Sequence, residues 1–403
     1  MKILHTSDWH LGQELYSYDR SEEHLSFFEQ LEKIVSDEQP DVMVVSGDIY
    51  HNAAPSNTVM RMFTDGLDRV RRACPGMHIV VTAGNHDSCS RLEVNQSIWS
   101  YLDVSIVGRI RKVDGEIDFD SLFIPVPNRE GQTIGYVVAL PFILPNGYPN
   151  LSDDVAREDR AAYFYQKLND HLLAVNTQGL PVVMMSHLAL TGSDITGHDR
   201  ICGGMDFVSR DELAVDYDYL ALGHIHCPQD IVKNHVRYSG SPVAVSFDEN
   251  YVHSVSIVEI AKHGETPEVK TLPIDNPWPL KTIPDECVPL DEALKYLKAL
   301  PDDQKMYIRL RAKLTNEPPK NAIERAQQEI KGKAARFCCF KWEREEVKQS
   351  AAQKQMVDVD EFRDKSPLDI ADLYYRSKHQ NEPMPDEMRE MMTQVIERVE
   401  KED

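Results

Sequence analysis

Residues 219–228 read "YLALGHIHCP". An apolar run ends on glycine, and two histidines follow, two positions apart. A strand places residues i and i+2 on the same face, so His224 and His226 can point into one shared space. Imidazoles aimed together serve a metal or a proton relay. A surface turn with two solvated histidines reads the same way in isolation, so the rest of the chain has to decide.

Working outward, the same pattern recurs. "KILHTS" (2–7) leads to Asp8-Trp9-His10, "VMVVSG" (42–47) to Asp48, "HIVVTAG" (78–84) to Asn85-His86-Asp87 and "VVMMS" (182–186) to His187. Continuous apolar runs of this kind predict strands covered on both faces, as in α/β folds. Between them lie helical stripes: Leu25, Phe28, Leu31 and Val35; then Val59, Phe63, Leu67 and Val70; then Phe164, Leu168 and Leu172. In open α/β sheets ligands bind at the carboxyl ends of strands, where residues far apart in sequence converge. Gly47, Gly84 and Gly223 allow the sharp turns and close approach such a site needs. A single histidine at a strand end is more often a packed residue, and "GD" or "GN" alone is an ordinary turn. Five coincidences at equivalent positions favour a metal site.

The metal-capable residues at these strand ends are Asp8, His10, Asp48, Asn85, His86, Asp87, His187, His224 and His226. Oxygen and imidazole without thiolate suit manganese, iron or zinc. About seven ligands from such a set are too many for one ion and suit two that share a bridge. Two metals ~3.5–4 Å apart can clamp the attacking and leaving oxygens of a phosphoryl centre.

Composition narrows the class. The chain has 403 residues, enough for two or three domains, and 41% are hydrophobic. Asp and Glu number 66 against 44 Lys and Arg, a formal net charge of -22. That argues against a generic basic nucleic-acid binder but not against a nuclease whose metals meet the phosphate. Seven irregularly spaced cysteines form neither a zinc ribbon nor a disulfide framework, which fits a reducing, cytoplasmic compartment. "MKILHTSDWH" reaches polar residues too soon for a signal peptide. No apolar stretch approaches the ~20 residues of a membrane span.

Strand-and-turn patterns over 230–273 predict a second sheet packed on the first, closing a domain at 1–274. Residues 275–289 carry four prolines and read as a linker. A small module is expected over 290–350, with two strands and a helix. Its strand "MYIRLRAKL" (306–314) alternates strictly. Met306, Ile308, Leu310, Ala312 and Leu314 face one way, and Tyr307, Arg309, Arg311 and Lys313 the other. A solvated face is the default for such charges, yet Arg309, Arg311 and Lys313 are the best candidates here for contacting DNA. The tail, 355–403, reads as two helices, the last with an apolar stripe of Met388, Met391, Met392, Val395, Ile396 and Val399.

Asp8-x-His10, Gly47-Asp48, Gly84-Asn85-His86-Asp87, His187 and Gly223-His224-x-His226 resemble, in order, the five motifs of the calcineurin-like metallophosphoesterases. "ILHTSDWHLG", "YLALGHIH" and "GSPVAVSFDE" resemble more narrowly the SbcD-type nuclease components of bacterial break-repair complexes. The resemblance covers nearly the whole chain. It implies a two-sheet metallophosphoesterase sandwich flanked by helices, a small α+β capping domain and a helical tail. It implies that Asp48 bridges two metals, with Asp8, His10 and His226 completing one site and Asn85, His187 and His224 the other. His86 resembles the family's catalytic histidine, which stabilises the transition state and helps protonate the leaving oxygen. His51 resembles a further histidine found near the site in some members. Asp87 reads as a residue supporting the ligands, or a turn residue, and His5 as structural.

By the same resemblance the activity is a manganese-preferring DNA phosphodiesterase: an exonuclease on double-strand ends and an endonuclease on single strands and hairpins. The implied partner is an SbcC-type ATPase with a long coiled coil, gripped by the tail, around a homodimer within a heterotetramer. No membrane is involved. Two other classes stay open. A small-molecule phosphoesterase, such as a cyclic-nucleotide phosphodiesterase, would share the core motifs but leave the module and apolar tail without purpose. A non-catalytic scaffold would not need the complete ligand set and His86.

Overall fold

The computed structural model describes residues 1–143, 148, 156, 159–196, 207–314, 319, 321–344, 367–378 and 382–399. Two six-stranded sheets carry the first 273 residues. Strands β1 (Lys2–Thr6), β2 (Val42–Ser46), β3 (His78–Thr82) and β4 (Val104–Val107) run parallel. In the second sheet β5 (Phe123–Pro127) lies antiparallel on β6 (Thr133–Ala139), followed by β7 (Val182–His187) and β8 (Tyr219–Gly223) in parallel. Strands β9 (Gln229–Val232) and β10 (Val236–Tyr238) complete it, with β10 parallel to β8. Strands β11 (Ser254–Glu259) and β12 (Glu268–Pro273) then return to the first sheet, where β11 pairs antiparallel with β1.

The expectation that 230–273 alone forms the second sheet is therefore corrected. That sheet is built from residues 123–238, and 254–273 extend the first. Apolar period reports which faces are covered and is silent about which strand is the neighbour.

Alternate residues divide the core. Ile3, Val42, Val44 and Val80 point between the sheets, against residues such as Val137, Val183 and Leu220. Leu4, Met43, Val45, Ile79 and Val81 point the other way, onto α1 (Ser21–Glu38) and α2 (Asn57–Ala73) through Phe28, Leu31, Phe63 and Leu67. Helix α3 (Arg160–Val175) covers the outer face of the second sheet with Phe164, Leu168 and Leu172. Both faces of each central strand are thus buried, which explains the unbroken apolar runs.

The segment expected as a linker contains a strand. β13 (Leu280–Pro289) pairs parallel with β14 (Tyr307–Leu314), and β15 (Arg336–Arg344) lies on β14's other side. Proline is tolerated because β13 is an edge strand, and the register shifts between Ile283 and Val288, across Pro284. Helices α4 (Leu290–Ala299) and α5 (Ala322–Glu329) pack on this sheet around Met306, Ile308, Leu310 and Ala312. The module is continuous with the large domain in one compact unit, Met1–Glu343. Tyr307, fully buried, packs with Leu15, Phe247 and Trp278, and the Arg336 guanidinium lies 3.8 Å from the Trp278 ring centre.

Arg344–Asp403 forms a second unit. It contains α6 (Pro367–Lys378) and α7 (Asp386–Val399). Asp372 joins them, accepting from the Met384 amide at 3.0 Å and pairing with Arg389 at 3.3 Å. Met388 and Met391 of the expected stripe are exposed; the side chains of Val395, Ile396 and Val399 lie outside the described residues. No helix among the described residues is long and apolar enough to cross a membrane.

Candidate metal centre

The carboxyl ends of β1, β2 and β3 in one sheet meet those of β7 and β8 in the other. The turns there are strained. Asp8, His10, Asp48 and His224 hold φ angles of 54°, 45°, 51° and 93°, a left-handed region that non-glycine residues occupy at a cost of ~1–3 kcal/mol each. Backbone bonds hold them: the amide of Asp8 donates to Gly47 at 3.0 Å and that of His10 to Asp48 at 3.0 Å. The glycines are there for space. A Cβ on Gly84 would sit 2.1 Å from Asp48 Oδ1, and one on Gly223 1.8 Å from the Ser46 carbonyl oxygen.

All seven candidate ligands converge in two overlapping groups. In one, the ligand atoms of Asp8, His10 and His226 lie within 4.8 Å of each other. His10 Nε2 is 3.1 Å from His226 Nε2 and 3.7 Å from Asp48 Oδ2. In the other, Asn85 Oδ1 is 2.9 Å from His187 Nε2 and 3.0 Å from His224 Nδ1, and His187 Nε2 is 3.4 Å from Asp48 Oδ2. The same Asp48 oxygen therefore faces both groups. Two buried carboxylates, one amide oxygen and four imidazoles make a donor set that fits two divalent cations. His187 Nδ1 donates to the Ser46 carbonyl at 2.9 Å, which fixes Nε2 toward the centre.

Charge and burial compete throughout. Burial pushes Asp48 upward, but the charges of His187 and His10 outweigh it and hold the carboxyl far below the usual range. Burial lowers His187, and the Asp48 carboxylate overrides it, raising the imidazole to about 9. Burial raises Asp8 and drives His10 well down.

Three neighbours lie beside the seven, and two of them, His51 and His86, bring ring nitrogens within 4.8 Å of each other and of a His10 ring nitrogen, a third group that could hold a metal ion. The His86 amide donates to Asp48 Oδ1 at 2.9 Å, while its Nδ1 donates to the His51 carbonyl at 2.8 Å. Its ring centre is 5.0 Å from that of His10. His51 stacks on His86 at 5.7 Å and 27°. The Asp87 carboxylate accepts the amides of Ile49, Tyr50 and Gly84 at 3.1, 2.9 and 2.9 Å, clamping the β2 and β3 turns together. Burial and then the nearby Asp48 raise it to about 6. His5 lies between the sheets, 2.9 Å from the Tyr219 hydroxyl.

Sequence reasoning missed Glu249. Its buried carboxylate is 3.0 Å from His226 Nδ1. An acidic residue in a loop of a strongly acidic chain has no signature, and only its place in "GSPVAVSFDE" singles it out. The basic face of β14 is less open than its alternation suggested. Arg309 bonds to Asp248, the Phe247 carbonyl and Thr282. Arg311 donates to the Asp285 carbonyl, and Lys313 is exposed.

Comparison with known proteins gives the family. Residues 1–228 match the model of the calcineurin-like phosphoesterase family. The chain is 34% identical over 329 residues to SbcD, the nuclease component of the SbcCD complex, of Rhodobacter capsulatus, covering 77% of this chain and 80% of that protein. It is 29% identical over 310 residues to SbcD of Escherichia coli, covering 73% and 74%, and 32% identical over 276 residues to SbcD of Bacillus subtilis, covering 66% and 67%. Fold and centre define a metallophosphoesterase, an enzyme that hydrolyses phosphoester bonds with divalent metal ions. The chain belongs to the calcineurin-like phosphoesterase family and is a metal-dependent nuclease of the SbcD type.

Proposed function

We propose that the chain is a two-manganese DNA phosphodiesterase that works with an SbcC-type coiled-coil ATPase in DNA end processing, recombination and repair. The observation that carries this reading is the single Asp48 oxygen facing two complete groups of ligand atoms. In this reading Asp8, His10, Asp48 and His226 hold one ion, and Asp48, Asn85, His187 and His224 the other. The ions, when bound, activate water and offset the charge that builds on phosphorus. Asp48 fixes the spacing of the pair. His86 keeps Nδ1 on the His51 carbonyl, so Nε2 is the ring nitrogen left to stabilise the phosphoryl oxygens and protonate the leaving oxygen.

The substrate modes are exonuclease on double-strand ends and endonuclease on single strands and hairpins. The nuclease domain is residues 1–274, the capping module begins with β13, and residues 355–403 bind the ATPase. The assembly is a homodimer within a cytoplasmic heterotetramer. Lys313 is the residue of the β14 face freest to meet a phosphate.

Plasmid nicking with manganese, beside a chelator control and a cyclic-nucleotide substrate, tests the reading. DNA cleavage abolished by chelation supports it. Turnover of the small phosphodiester alone would move the assignment to a small-molecule phosphoesterase, and bound manganese without cleavage of either would leave a scaffold. Calorimetry tests the ligand roles: Asp48→Asn should weaken both ions and His226→Ala mainly one. Loss of a single ion in the Asp48 variant would remove the bridge.

A further inference from the structure

We infer that Arg309, on the capping module, is a positioning residue for the metal ligand His226, acting through the loop that carries Glu249. The inference rests on the two-ion reading above. Glu249 Oε1 meets His226 Nδ1 at 3.0 Å, and Oε2 accepts the Val245 amide at 3.0 Å. One carboxylate therefore joins the imidazole to the backbone of its own loop. Such a partner fixes the ring's tautomer and orientation, leaving Nε2 to the metal.

The loop itself is gripped from both sides. At its start, Arg20 Nη1 donates to the Ala244 carbonyl at 2.7 Å and Gln13 Nε2 to that of Val245 at 3.2 Å. Both belong to the nuclease domain. At its end the grip comes from β14. Arg309 Nη1 donates to Asp248 at 2.8 Å and Nη2 to the Phe247 carbonyl at 3.2 Å, and the guanidinium lies 5.2 Å from the Phe247 ring centre. Nε donates to Thr282 of β13 at 2.9 Å, so the same side chain is anchored in the module. The Arg309 side chain is only 11% exposed. A guanidinium so fully engaged is a poor phosphate contact and a good strut. Asp248 and Glu249 are adjacent, so a shift of the module relative to the loop moves the carboxylate that orients His226.

The test uses the full chain and manganese(II) as the probe. Two-site calorimetry is run on the wild type, Glu249→Gln, Arg309→Ala, Arg309→Lys and the Glu249→Gln/Arg309→Ala double variant, with thermal melts on each. Glu249→Gln should weaken one of the two sites by ~10–100-fold, the range for partners of metal-bound histidines. Arg309→Ala should weaken that same site by a smaller factor, and Arg309→Lys should partly restore it. The double variant should bind no more weakly than Glu249→Gln alone, because both act through one path. Unchanged sites in Arg309→Ala, equal weakening of both sites, or multiplicative losses in the double variant would each overturn the inference. Should Arg309→Ala melt early, Asp248→Ala removes the acceptor of the Arg309 Nη1 bond at an exposed position and is held to the same outcomes. A wild type binding fewer than two ions would instead remove the two-ion reading, and this inference with it.

Discussion

At the scale of single residues, the proposed roles separate groups that hold metal from groups that act beside it. His86 touches Asp48 through its backbone amide and not through its ring. His86→Ala should therefore keep both manganese ions and lose ~10²–10⁴ in cleavage rate, the usual cost of removing a catalytic acid. Metal content and nicking measured on the same preparation decide it, and metal lost in parallel with activity would make His86 a ligand. Gly84 makes the complementary case. Its substitution removes no ligand, yet a Cβ would intrude to 2.1 Å from Asp48 Oδ1 and 2.3 Å from the Asp48 amide nitrogen. Gly84→Ala should abolish two-ion binding and cost ~1–3 kcal/mol by overpacking. Full manganese stoichiometry in that variant would show that the turn yields more than the packing allows. The seven candidate ligands were legible in the sequence because each follows an apolar strand. Glu249 was not, because its partner His226 lies 23 residues earlier and a lone loop carboxylate has no pattern.

At the scale of elements, the position and end of each central strand were legible and the neighbours were not. Burial on both faces erases alternation, so "VMVV" and "VVMM" look alike although they belong to different sheets. β13 was hidden for the opposite reason, since its prolines mimic a linker and only its edge position makes them harmless. Two buried histidines on neighbouring elements give the fold a pH limit. His5 on β1 is lowered to about 3 by burial and then by the Arg237 charge, and His24 on α1 to about 3 by burial and then by Arg20. The folded state keeps both neutral, while the unfolded chain protonates them below about 6.5. Their contribution is complete above that value and is lost as pH falls toward 3, at ~1.4 kcal/mol per pH unit for each group. The melting temperature should fall steeply between pH 6.5 and 4.5, and His24→Gln should make that fall shallower. An equally steep acid limb in the variant would place the sensitivity in other groups.

At the scale of the whole molecule, the division into Met1–Glu343 and Arg344–Asp403 matches the proposed split between chemistry and assembly. Every candidate ligand and His86 lie in the first, with the three-stranded module as far as Glu343. The second carries α6 and α7, with Met388 and Met391 exposed on the terminal helix. Methionine is unbranched and polarizable, which suits an adaptable helix-in-groove contact such as the base of a coiled coil offers. The acidic balance of the chain, -22 overall, fits an enzyme that leaves much of the DNA holding to a partner. Deleting residues 355–403 should therefore leave manganese-dependent cleavage of single strands largely intact. It should abolish stable binding to the coiled-coil ATPase and any ATP-stimulated exonuclease activity. Co-purification with the partner, run beside both nuclease assays, reads the two consequences separately. A truncated chain that still holds the ATPase at full strength would place the contact in Met1–Glu343, and one that aggregates would show that α7 covers an apolar face of its own chain.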